Sequence, residues 1–180
     1  MITTKRLTIR PIEEKDWIVM KEIWDDFKRT QYVIYDNYKD TNPESLQPRI
    51  ARWAESTRNG NEHMFFATCL NGKMIGFTSM NVVVSAEYEI GYGYINKSQG
   101  KGYAKEALSA VLEYMKEIGA TKIHAGTAIE NIPSVELLKS LGFELTGTEQ
   151  ISFFKDDAGN DIVFEGGNFE KEYITNFKIE

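Results

Sequence analysis

The stretch Gln99-Gly100-Lys101-Gly102-Tyr103-Ala104 constrains this chain most. It follows the apolar run Tyr88 to Ile95 and opens a helical pattern in which Ala104, Leu108, Val111, Met115 and Ile118 recur at spacings of four and three. A glycine turn between a strand and a helix presents unpaired backbone N–H groups and the positive end of the helix dipole to one point. That point suits an anion, most naturally a phosphate. Gly100 and Gly102 carry no Cβ, so a ligand can approach the backbone closely. Spacing argues against two familiar phosphate loops. A Walker A loop needs glycine where Ile95 stands and Ser or Thr where Gly102 stands, and a dinucleotide fingerprint needs a third glycine where Lys105 stands.

The elements around this turn follow from pattern. Leu7 to Pro11 reads as a strand ended by proline, and Ile12 to Trp17 starts a helix with an apolar face of Trp17, Met20, Ile23, Trp24 and Phe27. Asn42-Pro43 offers a cap and a first-turn proline for a second helix carrying Ile50, Trp53 and Ala54, with Pro48 near its first turns or kinking it. Met64 to Leu70, Asn71-Gly72 and Lys73 to Thr78 form a hairpin with a two-residue turn, and Met80 to Val84 either extends it or leads to a turn at Ser85. Tyr88 to Ile95 is the next strand, with Glu87, Glu89, Gly91 and Gly93 on one face and Tyr88, Ile90, Tyr92 and Tyr94 on the other. Its two glycines suggest a bulge or a close backbone approach. The helix from Tyr103 ends at Gly119, and Lys122 to Thr127 follows as a strand, which makes a crossover unit with parallel strands if both lie in one sheet. Asn131 to Gly142 is a short capped helix. Phe153 to Lys155 and Asp161 to Glu165 read as a final hairpin, and Asn168 to Glu180, with Phe169, Tyr173, Ile174 and Phe177, as a last helix.

Three motifs, in order, carry a resemblance. Gln99-x-x-Gly102-x-Ala104 resembles the acyl-coenzyme A signature of the GNAT family of N-acetyltransferases. Thr4-x-Arg6-Leu7-x-Ile9-Arg10-Pro11 followed by Asp16 resembles the opening of its RimJ/RimL-like branch, and Asn131-x-x-Ser134 with Leu141-Gly142-Phe143 resembles the segment that closes the cofactor half. The resemblance implies an α+β (mixed α/β) fold over a single domain, residues 1–180. It implies a central mixed, twisted sheet of about six to seven strands flanked by about four helices. It also implies acetyl transfer from acetyl-CoA to a primary amine by direct attack. The pyrophosphate then falls to Gln99, Gly100, Lys101, Gly102, Tyr103, Ala104 and Lys105, and the pantetheine arm to Gly93, Tyr94, Ile95 and Asn131.

The same resemblance assigns Glu89 as the base, with Glu87 two residues away as the fallback; a solvent-facing strand edge would also explain both. Leu138 stands where many relatives carry an acidic tyrosine, so the proton donor passes to Ser134, whose position near a helix start is equally a capping position. Tyr32, Tyr35 and Tyr38, between the first two helices, are candidates for the acceptor wall, or they pack the loop. The acceptor itself is open among a protein N-terminal amine, a polyamine, an amino acid and an aminoglycoside. A module that binds acyl-CoA with reduced catalysis is the alternative.

Composition removes other classes. A net charge of −6 argues against nucleic acid as a partner. The single cysteine, Cys69, excludes an internal disulfide and a cysteine zinc cluster, and His63 and His124 are too isolated in sequence for a metal site, so no metal is expected. No run reaches the length of a membrane span, and the N-terminus lacks the apolar core of a signal peptide, which together point to a cytoplasmic protein with no membrane partner. A homodimer is compatible with the sequence, and no interface is legible in it.

Overall fold

The structure is a computed structural model and describes residues 1–60 and 62–173. Among these, eight strands form one sheet in the order β1-β2-β3-β4-β5-β6-β8-β7, with four α-helices. The strands are β1 (Ile2–Thr3), β2 (Leu7–Pro11), β3 (His63–Leu70), β4 (Lys73–Val84), β5 (Glu87–Tyr94), β6 (Lys122–Ala128), β7 (Glu144–Lys155) and β8 (Asp161–Glu172). The helices are α1 (Trp17–Lys28), α2 (Pro43–Arg58), α3 (Tyr103–Glu117) and α4 (Ile132–Ser140). The count exceeds the expected six to seven strands by the short β1, which pairs antiparallel with β2. Every neighbouring pair is antiparallel except β5 and β6, which α3 joins as the crossover.

Local chemistry accounts for these boundaries. Asn71 and Gly72 both hold positive φ, at 49° and 75°, as a tight two-residue turn requires, and β3 and β4 pair across it. Pro11 closes β2, Ile12 drops into the core, and a 3-10 turn at Glu14–Asp16 precedes α1. The Arg10 guanidinium grips Asp16 with two bonds of 2.7 and 2.9 Å, which ties β2 to that turn. Pro48 lies inside α2. Cys69 is buried, and burial pushes its thiol pKa up, which marks it as a packing residue.

Alternation along β5 sorts the helices onto two faces. A Cβ on Gly93 would stand 2.7 Å from Phe77 and 3.1 Å from Ile23 of α1, while the hydroxyl of Tyr92, one residue earlier, bonds to Ser134 of α4. Trp53 of α2 stacks on Phe65 at 3.9 Å, and Phe65 lies in register with Ser79 and so with Gly91. Thus α1 and α2 cover the face of Glu89, Gly91 and Gly93; α4, with α3 packed on it, covers the other. The register from Val82–Tyr88 to Gly76–Tyr94 is continuous, so neither glycine marks a bulge. Both are required by close neighbours instead, Gly91 by the Ser79 hydroxyl 2.8 Å from where its Cβ would sit.

Two expectations at the C-terminal end change. The last hairpin begins at Glu144 rather than Phe153, and Asn168 to Glu172 belong to β8 rather than to a helix. Pairing decides this: β8 is held on one side by β6, from Lys122–Glu172 to Ala128–Gly166, and on the other by β7, and Phe169 is buried between them. Ile174 and Phe177 lie outside the described residues.

Candidate active site

The one parallel junction is short. β5 and β6 pair only over Glu87–Lys122, Tyr88–Ile123 and Glu89–His124, after which β5 runs on to Tyr94 and β6 to Ala128 unpaired with each other. A gap therefore opens in the sheet, with its apex at Glu89 and its mouth at the start of α3. The Ile95 N–H donates to the Ile75 carbonyl at 3.0 Å, which fixes the alternation of the antiparallel β4–β5 ladder. Residues 91, 93 and 95 turn their amides toward β4. Tyr92 and Tyr94 turn theirs into the gap. Of the consecutive residues Gly93, Tyr94 and Ile95 expected along the pantetheine arm, only Tyr94 turns its backbone N–H into the gap; Gly93 and Ile95 are engaged with β4, and Tyr92 shares the orientation of Tyr94. The Tyr94 ring itself is buried near Thr68, and burial pushes its pKa up to about 12.

At the mouth, Gly100 and Gly102 hold φ of 70° and 77°, so both use the left-handed region that glycine favours. The first bond into α3 is Glu106 N–H to the Gly102 carbonyl, at 3.1 Å. Among the described residues, no acceptor takes the N–H groups of residues 100–105, six in succession. The turn is exposed, so water serves these donors, and an anion can displace it at a point where the helix contributes about half a positive charge. Gln99 braces the turn by donating its side-chain amide to the Tyr94 carbonyl at 3.1 Å, and Lys101 donates to the Lys97 carbonyl at 2.7 Å.

The N-terminal motif meets this turn in space. Arg6 places its Nε 2.6 Å from Glu106, donates to the Lys101 carbonyl at 3.1 Å, and lies 4.5 Å over the Tyr103 ring. Thr4 donates its hydroxyl to the same Glu106 carboxylate at 2.6 Å. These bonds hold the Glu106 carboxyl below its usual range, with the Thr4 bond the largest favourable cause.

The acid–base candidates separate clearly. Glu87 is bonded to His124 Nε2 at 2.9 Å, and His124 Nδ1 lies 3.5 Å from Glu170, so the fallback base is engaged in a β5–β6–β8 pairing. Glu89 is exposed at the apex and has no side-chain hydrogen bond or ion pair among the described residues. Ser134 accepts or donates a 2.7 Å bond with the Tyr92 hydroxyl across the gap. Burial raises the Tyr92 pKa, and the Ser134 bond partly offsets it, so the phenol is neutral near pH 7. Asn131 makes no side-chain cap; its carbonyl takes the Ser134 and Val135 amides at 3.0 Å, and its carboxamide has no hydrogen-bond partner among the described residues. Leu138 is fully buried in the core. No three or more His, Cys, Asp or Glu among the described residues are grouped to hold a metal.

A family model described as an acetyltransferase (GNAT) domain matches residues 6–144. The chain belongs to the GNAT family. An uncharacterized N-acetyltransferase of Bacillus subtilis, YnaD, is 32% identical over 162 residues, spanning 86% of this chain and 85% of its own. The ribosomal protein uS5-alanine N-acetyltransferase of Escherichia coli is 28% identical, spanning 81% and 79%. Among solved structures, RimL, a ribosomal α-N-protein acetyltransferase in complex with coenzyme A, shares the fold at a TM-score of 0.76 and 14% identity over 94% of this chain and 95% of its own. GNAT enzymes use acetyl-CoA, and this chain is an N-acetyltransferase.

The three tyrosines expected at the acceptor wall lie in two separate places. The Tyr32 and Tyr35 rings lie 6.2 Å apart, and Tyr35 packs edge-on against Phe164 of β8 at 5.2 Å. Tyr38 is 69% exposed, lies under the Lys28 ammonium, and borders an open depression of about 610 Å³ with Trp24, Trp53, Arg49 and Arg52. Two features escaped the sequence reading: the Tyr92–Ser134 contact and the Arg6–Glu106 tie. Each motif was visible, but no spacing rule brings residues 42 or 100 positions apart together.

Proposed function

We propose that this chain transfers the acetyl group of acetyl-CoA to a primary amine, and that the amine is a protein N-terminus, with residues 1–180 acting as one domain. The run of six unaccepted amides at the mouth of the sheet gap carries this reading. It supplies what a pyrophosphate needs, and the gap behind it supplies what an extended amide-bearing arm needs, namely the gap-facing backbone of Tyr92 and the N–H of Tyr94, whose carbonyl is taken by Gln99. The carboxamide of Asn131 faces no competing partner and completes the pantetheine contacts. The choice of a protein N-terminus leans on the uS5-alanine relative. A small amine is the other acceptor class.

The residues divide the work simply. Bound acetyl-CoA supplies the thioester carbonyl that the amine attacks, so that a C–N bond forms, the C–S bond breaks and its electron pair goes to sulfur. Glu89, unpaired at the apex, takes the proton that the amine nitrogen sheds. Ser134 donates a hydrogen bond to the departing sulfur, in place of the tyrosine that Leu138 replaces. Tyr32 and Tyr35, packed toward β8, border the acceptor's approach.

Calorimetric titration with acetyl-CoA, CoA and ATP tests the pocket. Acetyl-CoA and CoA are expected to bind and ATP is not; failure of acetyl-CoA to bind removes the reading. On a peptide with an N-terminal alanine, Glu89→Gln is expected to lower kcat about 100-fold with acetyl-CoA affinity unchanged. Turnover equal to wild type would remove Glu89 as the base.

A further inference from the structure

Two walls of the gap touch at one pair of hydroxyls. Tyr92 rises from β5 and Ser134 from the first turn of α4, and their oxygens stand 2.7 Å apart. The order of groups along the gap is fixed by the fold: the open amides 100–105 at the mouth, then the gap-facing backbone of Tyr94, then that of Tyr92, then Glu89 at the apex. An arm anchored by its pyrophosphate at the mouth and extended toward the apex brings its sulfur end to the level of Tyr92 and Ser134, next to the carboxylate that receives the amine's proton. This step rests on the acetyl-CoA reading above.

We infer that Tyr92 is a positioning residue for the leaving group: its phenol donates to Ser134 Oγ, which frees the serine hydroxyl to donate to the sulfur as the C–S bond breaks. A serine hydroxyl carries one proton and has two acceptor lone pairs. Left alone, its proton rotates among nearby acceptors; the tyrosine has a competing acceptor oxygen too, but its own proton has few other places to go. Tyr92 is half-buried, its hydroxyl has no other protein partner among the described residues, and burial keeps it protonated. With the phenol as donor, the serine proton points onward. No proton has to leave Tyr92, so the pair stabilises a thiolate by two hydrogen bonds in series, and the atoms balance: the amine's proton is on Glu89, the acetyl group on nitrogen, and the electron pair on sulfur. Leu138 explains the need. It is buried where it packs the core and offers no hydroxyl, so α4 alone provides only the short serine side chain, and β5 supplies the second group across the gap.

The consequence is measurable without knowing the acceptor. A hydroxyl aimed at sulfur stabilises the thiolate of bound CoA and lowers its thiol pKa, read from the ultraviolet absorbance of the thiolate as pH is raised over the protein–CoA complex. Tyr92→Phe keeps the ring in place and is expected to raise that bound-thiol pKa by about one unit relative to wild type. Ser134→Ala is expected to raise it at least as far, and Ser134→Thr, which retains a hydroxyl, to recover most of the shift. CoA affinity in Tyr92→Phe is expected within about threefold of wild type, a factor worth about half a tenfold step. A bound-thiol pKa in Tyr92→Phe equal to that of wild type, with CoA still bound, overturns the inference and leaves the acetyl-CoA reading standing. Absence of CoA binding to the wild-type protein overturns both.

Discussion

At the start of α2, Pro43 has no N–H to satisfy, the Asn42 side chain accepts from Glu44 at 3.1 Å, and the Asn42 carbonyl takes Ser45 and Leu46 at 3.1 and 2.9 Å. At the start of α3, the cap position is Gly102, no side chain accepts, and the N–H groups of residues 100–105 have no protein acceptor among the described residues. Both helices are ordinary in length and amphipathic, so the difference is not one of helix quality. One terminus is closed for stability; the other is left open and braced from behind. The bracing comes from Arg6, Thr4 and Glu106, none of which uses an amide of the turn other than through the Lys101 carbonyl. Donors are thus held in place without being consumed, which is the arrangement an exchangeable anion needs.

The contrast can be broken most sharply at Gly102. Gly102→Val forces a β-branched residue into φ near 77°, which costs about 1–2 kcal/mol and re-aims the amides on either side. Acetyl-CoA affinity is expected to fall by about tenfold or more by calorimetry. A variant that binds as wild type does would show that these amides are not the anion site.

Arg6→Met removes the brace while leaving every amide in the sequence. A loss of affinity of about threefold to tenfold is expected, within the range of one charge-assisted bond. Acid titration sharpens the result. The Glu106 carboxyl is depressed below its ordinary value of 4.5, so the stability it contributes is present in full above about that pH and is lost as pH falls through the lower folded value. Thermal melts of Arg6→Met across that acid range are expected to show a shallower loss than wild type, since one of the groups that depresses Glu106 is gone.

The smallest effect belongs to the closed terminus. Asn42→Ala removes the α2 cap and is expected to cost about 1 kcal/mol in denaturant unfolding, with acetyl-CoA affinity unchanged. A matching loss of affinity would mean that the two termini are not independent.

Much of this was legible in the residues. Asn71-Gly72 between two apolar runs read as a tight hairpin turn, and the glycine turn before Tyr103 pointed to an anion because a strand-to-helix turn gathers unpaired N–H groups and the helix dipole at one point. The heptad-like spacing in α3 and the parity of Glu87, Glu89, Gly91 and Gly93 were also readable, since side-chain periodicity is a local property. The stretch from Glu144 to Ser152 was not. It is an edge strand, almost wholly exposed, with Gly147 inside it, so no buried face imprints an alternation on its sequence. Asn168 to Glu172 misled for the opposite reason: the spacing of Phe169 and Tyr173 fits a helix, but two flanking strands satisfy that backbone as a third strand.

By itself, then, the sequence determined the elements whose signals are local: the capped helix, the hairpin turn, the open glycine turn and the carboxylate at position 89. Tertiary structure decided what those elements meet. It set Glu87 against His124 and left Glu89 without a side-chain partner among the described residues. It also turned the backbones of Tyr92 and Tyr94, rather than Gly93 and Ile95, into the gap, and joined Arg6 to Glu106 and Tyr92 to Ser134. The reason is physical: a turn or a cap is written in the φ preferences and hydrogen-bonding groups of a few adjacent residues, whereas ladder parity and contacts between residues 42 or 100 positions apart exist only once the strands are paired.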